Sequence, residues 1–136
     1  MLPEVRVEFC ITGHELLPTQ ITQILGLPPS RTWIEGESIQ GTKLCRKHNG
    51  WCLALNAVEP TINLEVPIRE LLEVLLPKAE EIGEVCIGRD LECELSCAIT
   101  IDDETPIINL SPETVSDLGR LRAAIDIDII LATSGA

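Results

Sequence analysis

Aromatic residues are scarce in this sequence, which has one Phe, two Trp and no Tyr among 136 residues. A core with so few rings has to be built from Leu, Ile and Val, and a hydrophobic fraction of 45% supplies enough apolar side chains for a compact domain. The length is typical of one domain. We therefore expect residues 1–136 to form a single domain, with residues 133–136 as a loose C-terminal tail.

Long apolar runs and targeting features are also missing. No stretch approaches the roughly 20 consecutive apolar residues that cross a bilayer. The first residues have neither a basic start nor an apolar signal segment. These absences predict a cytoplasmic protein.

Basic residues are few: 10 Lys and Arg stand against 22 Asp and Glu, for a net charge of −12. Nucleic-acid binding depends on Lys and Arg meeting phosphates, so this balance argues against a nucleic-acid partner. It argues against anionic membrane surfaces for the same reason. A basic protein partner, a cation or a neutral ligand is compatible with the charge, which could equally serve only to keep the domain soluble.

Familiar enzyme signatures are absent as well. There is no phosphate-binding glycine loop, no Gly-x-Ser-x-Gly elbow and no His-Glu-x-x-His pair. With two histidines and no Tyr, acid–base chemistry would have to use His14, His48 or the carboxylates. The sequence therefore favours a non-enzymatic role, and we predict no catalytic residue and no cofactor.

Six cysteines raise the question of disulfides or zinc. Cys93 and Cys97 lie on one side of an alternating strand, about 13 Å apart, too far for a disulfide or a shared zinc ion. We interpret them as buried small hydrophobes in a reducing compartment. Cys45 and Cys52 would be diagonal neighbours in a hairpin, at or beyond the disulfide limit. We predict no metal site.

Apolar periodicity predicts the order of the elements. A strand with alternating Val5–Ile11 ends at Gly13, and a helix beginning at Pro18 ends at Gly26 before two prolines. The pair Asn49-Gly50 predicts a two-residue hairpin turn. That register would put Arg46, His48 and Trp51 on one face.

The second half of the chain reads similarly. A helix follows Pro67, breaks at Pro77 and continues as a short piece, 78–82. A strand spans Leu91–Ile101 and a short strand spans Ile107–Leu110. Ser111 and Pro112 begin a helix that runs to about Ala123, and the last strand is Ile125–Leu131.

This order predicts an α+β fold: a two-layer sandwich of a mostly antiparallel sheet with helices on one face. A ferredoxin-like core with an additional helix-strand unit is the first choice of topology. Other strand orders are compatible with the same elements.

Several segments occur in a familiar order and spacing, from about Val5 to Ile130. They are "FCITG", "ITQILGLPPSRTWIEGE", a Trp opening a strand, "LLEVLLP" and "LSPETVSDLGRLRAAIDIDI". With these segments the chain resembles the domain of unknown function 4279 family of small, mainly bacterial proteins. The resemblance implies a compact cytoplasmic α+β domain, and it implies no reaction, cofactor or functional residue.

Arg31, Trp33 and Gly36 follow the double proline in a segment without a regular period. Trp and Arg are enriched at interface hot spots, and loops often carry function. If the protein has a recognition surface, we expect this loop to form it together with Arg46, His48 and Trp51. Alternatively, Trp33 folds back as a lid on the sheet while Arg31 pairs with a nearby acid.

Asp126 and Asp128 share one side of the last strand, with Cα atoms about 6.5–7 Å apart. Paired carboxylates can bind a hard cation or share acid–base work. They can also simply face water on a one-sided sheet.

Three functions remain open. The leading hypothesis is a non-enzymatic protein-binding domain with a basic partner, of which an immunity-type inhibitor is one version. The second is a small enzyme or ligand-binding domain with a pocket near Asp126, Asp128, Arg46 and His48. The third is a metal or redox protein that uses its cysteines.

Overall fold

A computed structural model describes residues 2–55 and 59–132 of the protein. Its strands are β1 (Glu4–Gly13), β2 (Arg31–Trp33), β3 (Asn49–Ala54), β4 (Leu91–Ile101) and β5 (Ala123–Leu131). Its helices are α1 (Pro18–Leu25), α2 (Glu65–Leu75), α3 (Ala79–Cys86) and α4 (Pro112–Arg120), with a 3-10 turn at Leu76–Lys78. The tail expected at residues 133–136 lies outside the described residues.

The strands form one five-stranded mixed sheet in the order β2-β3-β1-β4-β5. The β2–β3, β3–β1 and β1–β4 pairs are antiparallel, and β5 pairs with β4 in parallel. The first four strands with their helices have the ferredoxin-like order, and α4 with β5 is the additional unit. The predicted α+β architecture is confirmed.

Local sequence signals explain most helix boundaries. Pro18 opens α1, and Gly26 closes it with φ 67° in the left-handed region that glycine adopts without strain. The Ser111 hydroxyl caps α4 by accepting the Thr114 N–H. The predicted interruption at Pro77 is the 3-10 turn between α2 and α3. The helix α4 ends earlier than expected, since β5 already begins at Ala123.

The core lies between the helices and one face of the sheet. Alternate side chains of β1, β3 and β4 pack against α1, α2 and α3, and full burial of an aliphatic side chain contributes about 1.5–3 kcal/mol. The central members are Val7, Phe9, Ile11, Trp51, Leu95, Cys97, Ile99, Ile68, Leu71, Leu72 and Leu75. Among the described residues, no helix is both long and apolar enough to cross a membrane.

Two predicted features are wrong. Asn49-Gly50 is not a turn: both residues belong to β3, and the chain reverses earlier, where the Thr42 N–H donates to the Ile39 carbonyl. The Asn49 side chain instead accepts the Glu35 N–H and donates to the Leu16 carbonyl, which fixes it inside the fold. The expected strand Ile107–Leu110 is reduced to a single bridge, Asn63 to Ile107.

Candidate functional site

The sheet has a second face, on which the described part of the chain packs no helix. We call it the uncovered face. Its strand residues are Arg31 and Trp33 on β2; Gly50, Cys52 and Ala54 on β3; Glu4, Arg6, Glu8, Cys10 and Thr12 on β1; Glu92, Glu94, Ser96, Ala98 and Thr100 on β4; and Ala124, Asp126, Asp128 and Ile130 on β5. It combines charged groups, including Glu4, Arg6 and Glu8 on the central strand β1, with small side chains on β3 and β4.

One corner of the uncovered face is built around Trp33. The guanidinium carbons of Arg31 and Arg46 lie 5.0 Å and 4.2 Å from the centre of its ring, and the His48 ring lies 6.3 Å away. Cation–π contacts of this kind contribute about 0.5–1 kcal/mol at exposed sites. Trp33 is only 8% exposed. The lid alternative therefore describes its position, although Arg46 and His48 do join it as the binding hypothesis expected.

Gly50 explains why Trp33 can lie so close to the sheet. A Cβ atom built on Gly50 would meet ring atoms of Trp33 at 2.0 Å. The glycine that suggested a hairpin turn is therefore required for packing, because any side chain there would displace the indole.

Arg31 also pairs with an acid, as the lid alternative requires. Its Nε and Nη2 donate to Oε2 and Oε1 of Glu8 at 2.9 Å and 2.8 Å. This two-point contact is the strong form of an arginine–carboxylate pair, and it raises the pKa of Arg31. It joins the edge strand β2 to the central strand β1 across β3.

Cys10 and Cys52 form a disulfide between neighbouring strands. They are direct partners in the β1–β3 register, with Cα atoms 4.2 Å apart. The Cys10 sulfur also lies 3.4 Å from Oε1 of Glu8. The sequence analysis placed Cys52 diagonally from Cys45, at or beyond the disulfide limit, because it placed the turn wrongly. Cys45 is an exposed free cysteine.

A second pair of sulfurs lies on the covered side. The Sγ atoms of Cys86 and Cys93 are 3.3 Å apart and both residues are buried as free thiols. Contact with Cys93 lowers the pKa of Cys86 and raises that of Cys93. Burial raises the pKa of Cys97 to about 12. Cys93 and Cys97 do not pair with each other and are buried, as expected.

Asp126 and Asp128 are exposed on β5, beside Ser96 and Ala98 of β4. Trp33, which Arg46 and His48 contact, lies on β2 at the other edge of the sheet, four strand spacings or about 19 Å away. The pocket expected near these four residues is therefore not formed.

Two depressions border the uncovered face. The first, of about 710 Å³, is lined by Glu8 and Arg31 and by the small residues Ala54, Ser96 and Ala98, among others. The second, of about 1030 Å³, extends from Cys10 and Trp33 past His48 to Arg89 and Arg122. Neither depression is lined by Asp126 or Asp128.

Trp51 cannot contribute to a surface, contrary to expectation. It points to the covered side, has no exposed area, and its Nε1 donates to the Thr22 hydroxyl of α1 at 3.0 Å. The false hairpin register had placed it beside Arg46 and His48. His14 is exposed, 3.3 Å from a carboxylate oxygen of Glu35.

Sequence reasoning missed Glu8, Cys10 and their partner Cys52. The alternation of β1 does place Glu8 and Cys10 on its polar side, which was the available signal. Their partner comes from 42 residues further along the chain, and only the strand order brings it next to β1.

Comparison with known proteins gives a family. No curated protein matches the chain. The family described as "Domain of unknown function (DUF4279)" matches residues 3–132, nearly the whole chain. The resemblance inferred from the ordered segments is confirmed, and this protein belongs to the DUF4279 family.

Proposed function

We propose that the protein is a non-enzymatic, cytoplasmic protein-binding domain whose uncovered face binds a basic segment of a partner. The observation that carries the proposal is the charge of that face. Its strands present six carboxylates against two guanidinium groups, and Glu8 already neutralises one of the two. The acids are Glu4, Glu8, Glu92, Glu94, Asp126 and Asp128.

The spacing of these acids supports a basic partner over simple solvation. Neighbouring strands lie about 4.8 Å apart and alternate residues about 6.5–7 Å apart. Two like charges 7 Å apart repel by about 0.6 kcal/mol even in water. Lysine and arginine side chains laid across β4 and β5 would relieve this repulsion at several positions at once.

The shape of the uncovered face suits an extended peptide segment of the partner. The 710 Å³ depression has Ala54 on one side of its floor and Ser96 and Ala98 on the other, with Arg6 and Glu8 of β1 between them. The small side chains of β4 leave room for a main chain beside β5. The exposed carboxylates of Asp126 and Asp128 stand beside this floor.

The charge at the Trp33 corner is opposite to the charge at the β5 end of the uncovered face, which would fix the orientation of a bound partner. Arg46 makes this end of the face cationic, since Glu8 neutralises Arg31, whereas the β5 end is anionic. A partner would therefore place its basic residues over β5 and an acidic or neutral group near Arg46 and His48. An immunity-type inhibitor, which binds and blocks its target, is one version of this function.

The cytoplasmic assignment rests on the thiols. Four of the six cysteines are free, and the sulfurs of Cys86 and Cys93 stay unbonded at 3.3 Å. Free thiols in such contact suit a reducing compartment.

The test is a binding titration with a fluorescent, unstructured lysine- and arginine-rich peptide. Asp126→Asn with Asp128→Asn should weaken binding about 2- to 30-fold, and added salt should weaken binding to the native protein. The matched control is Glu70→Gln with Glu73→Gln, two exposed acids of α2, which changes the net charge equally. Equal weakening by both pairs would show that only net charge matters, and would refute a defined surface.

The enzyme alternative placed its pocket near Asp126, Asp128, Arg46 and His48, and the two aspartates lie at the opposite edge of the sheet from Trp33, which Arg46 and His48 contact. The cysteine-based alternative is favoured by one observation, the contact between Cys10, Cys52 and Glu8.

A further inference from the structure

Glu8, Cys10 and Cys52 bring three metal-ligating atoms together on the uncovered face. One carboxylate oxygen and the two sulfurs all lie within 4.8 Å of one another. Within residues 2–55 and 59–132, no other three His, Cys, Asp or Glu side chains meet in this way. The arrangement follows from the sheet, since Glu8 and Cys10 alternate on β1 and Cys52 lies directly opposite Cys10.

We propose that, when the Cys10–Cys52 disulfide is reduced, these three residues bind a divalent cation of the zinc class. Zinc prefers thiolate and carboxylate ligands at about 2.3 Å and 2.0–2.2 Å, which puts tetrahedral ligand atoms about 3.4–3.8 Å apart. The 3.4 Å between the Cys10 sulfur and Oε1 of Glu8 fits this requirement. Three protein ligands leave a fourth position for water or a partner's side chain.

Arg31 completes the charge balance of the site. Two thiolates and a carboxylate carry three negative charges, and the dication with the Arg31 guanidinium carries three positive ones. Arg31 donates to both oxygens of Glu8 and so fixes the orientation of the carboxylate. Groups that hydrogen-bond to a ligating carboxylate, as Arg31 does to Glu8, form the usual second layer of metal sites.

The site is reachable from two sides. Glu8 lines the 710 Å³ depression, Cys10 lines the 1030 Å³ depression, and Arg31 lines both. Cys52 is fully buried beneath them, which shields one ligand from solvent.

The metal-bound and disulfide states exclude each other, because both sulfurs are needed in each. A small-molecule disulfide such as oxidised glutathione converts one into the other. One protein thiolate attacks a sulfur of the oxidant and releases one glutathione thiolate. The second protein thiolate attacks the resulting mixed disulfide and releases the other. Two electrons pass to the oxidant, the Cys10–Cys52 bond forms, and the cation leaves.

This exchange is suited to a reducing compartment, where protein disulfides, when present, are usually transient. The proposal does not depend on the basic partner, since the cation is held by Glu8 and the two cysteines alone.

The experiment uses Co²⁺ as the probe on the full chain, reduced with dithiothreitol and freed of it under nitrogen. We expect one Co²⁺ per chain with a near-ultraviolet thiolate-to-cobalt absorption band, and no band from the oxidised protein. Cys10→Ser and Glu8→Gln should each weaken Co²⁺ binding at least about tenfold. Oxidised glutathione should abolish the band and release the ion.

Two controls address the other thiols. Cys45→Ser removes an exposed free thiol, and Cys86→Ser removes one of the buried pair on the covered side. Both should keep the band and the affinity. Far-ultraviolet circular dichroism checks the fold of every variant, and Glu8→Gln leaves the buried sulfurs untouched.

Three results would overturn the proposal: a reduced protein without the band, a band that survives Cys10→Ser, or full affinity in Glu8→Gln. Loss of the band in Cys86→Ser together with its retention in Cys10→Ser would move the site to the other sulfur pair.

Discussion

The two faces of the sheet place a tryptophan in opposite roles. On the covered face, Trp51 is fully buried and its N–H is satisfied by Thr22. On the uncovered face, Trp33 lies between two arginines over Gly50, and its Nε1 finds no acceptor in the described part of the chain. The comparison teaches that the covered face holds the apolar core, while the uncovered face carries charges, a disulfide and a tryptophan packed between arginines.

Truncating each tryptophan tests this division most strongly. Trp51→Ala should lower the free energy of unfolding by about 3–5 kcal/mol, because it leaves a cavity in the core. Trp33→Ala should lower the free energy of unfolding by less, about 1–3 kcal/mol, because solvent can fill the space on the uncovered face. Urea denaturation of the two variants measures both values. A larger loss for Trp33→Ala would contradict the division.

Reducing the disulfide should have the next largest effect. The Cys10–Cys52 bond closes a loop with a sequence separation of 42 residues. Its reduction should lower the free energy of unfolding by about 2–4 kcal/mol. The measurement is denaturation with and without dithiothreitol. Cys45→Ser should leave the difference unchanged, and an identical midpoint in both conditions would exclude a stabilising bond.

Adding one methyl group sharpens the comparison at Gly50. Gly50→Ala should lower the free energy of unfolding by about 1–3 kcal/mol, because the new Cβ would push the Trp33 ring off the sheet. The control is Gly83→Ala in α3, where an added Cβ meets nothing within 4 Å. That variant should raise the free energy of unfolding by about 0.5–1 kcal/mol, because alanine favours a helix more than glycine does. Thermal unfolding and Trp fluorescence report both changes, and a neutral Gly50→Ala would contradict the packing of Trp33.

Thiol reactivity gives the smallest effect, without a change in stability. Alkylation requires the thiolate, and with a pKa of about 12 only about one in ten thousand Cys97 groups is ionised at pH 8. Iodoacetamide at pH 8 should therefore modify the exposed Cys45 and spare Cys97 until the protein unfolds. Peptide mass spectrometry measures the order of modification. Early labelling of Cys97 would show that the covered face opens.

The sequence predicted most of the fold for a physical reason. In β1 and β4 the apolar residues alternate, and in α2 they follow the helical period, so the pattern of each element identifies its buried side. The caps at Gly26 and Ser111 are local interactions and need no tertiary information. Element order then left few arrangements, and the ferredoxin-like core with an extra unit is the one observed.

The candidate site was harder to predict, because it depends on contacts between distant segments. Asn49-Gly50 has the chemistry of a hairpin turn, yet its two residues serve other contacts, with Leu16 and Trp33. That single error placed Arg46 and His48 beside Trp51 and hid the pairing of Cys52 with Cys10. Asp126 and Asp128 were placed correctly on one side of their strand, because alternation alone decides this.

The central claim is that the anionic, uncovered face is the binding surface. Backbone amide chemical-shift mapping during titration with the lysine- and arginine-rich peptide tests it most directly. The account predicts that the shifts concentrate on β4 and β5 around Ser96, Ala98, Asp126 and Asp128, and that they decrease with salt. Shifts concentrated on α2, α3 and α4, with β4 and β5 unchanged, would contradict it.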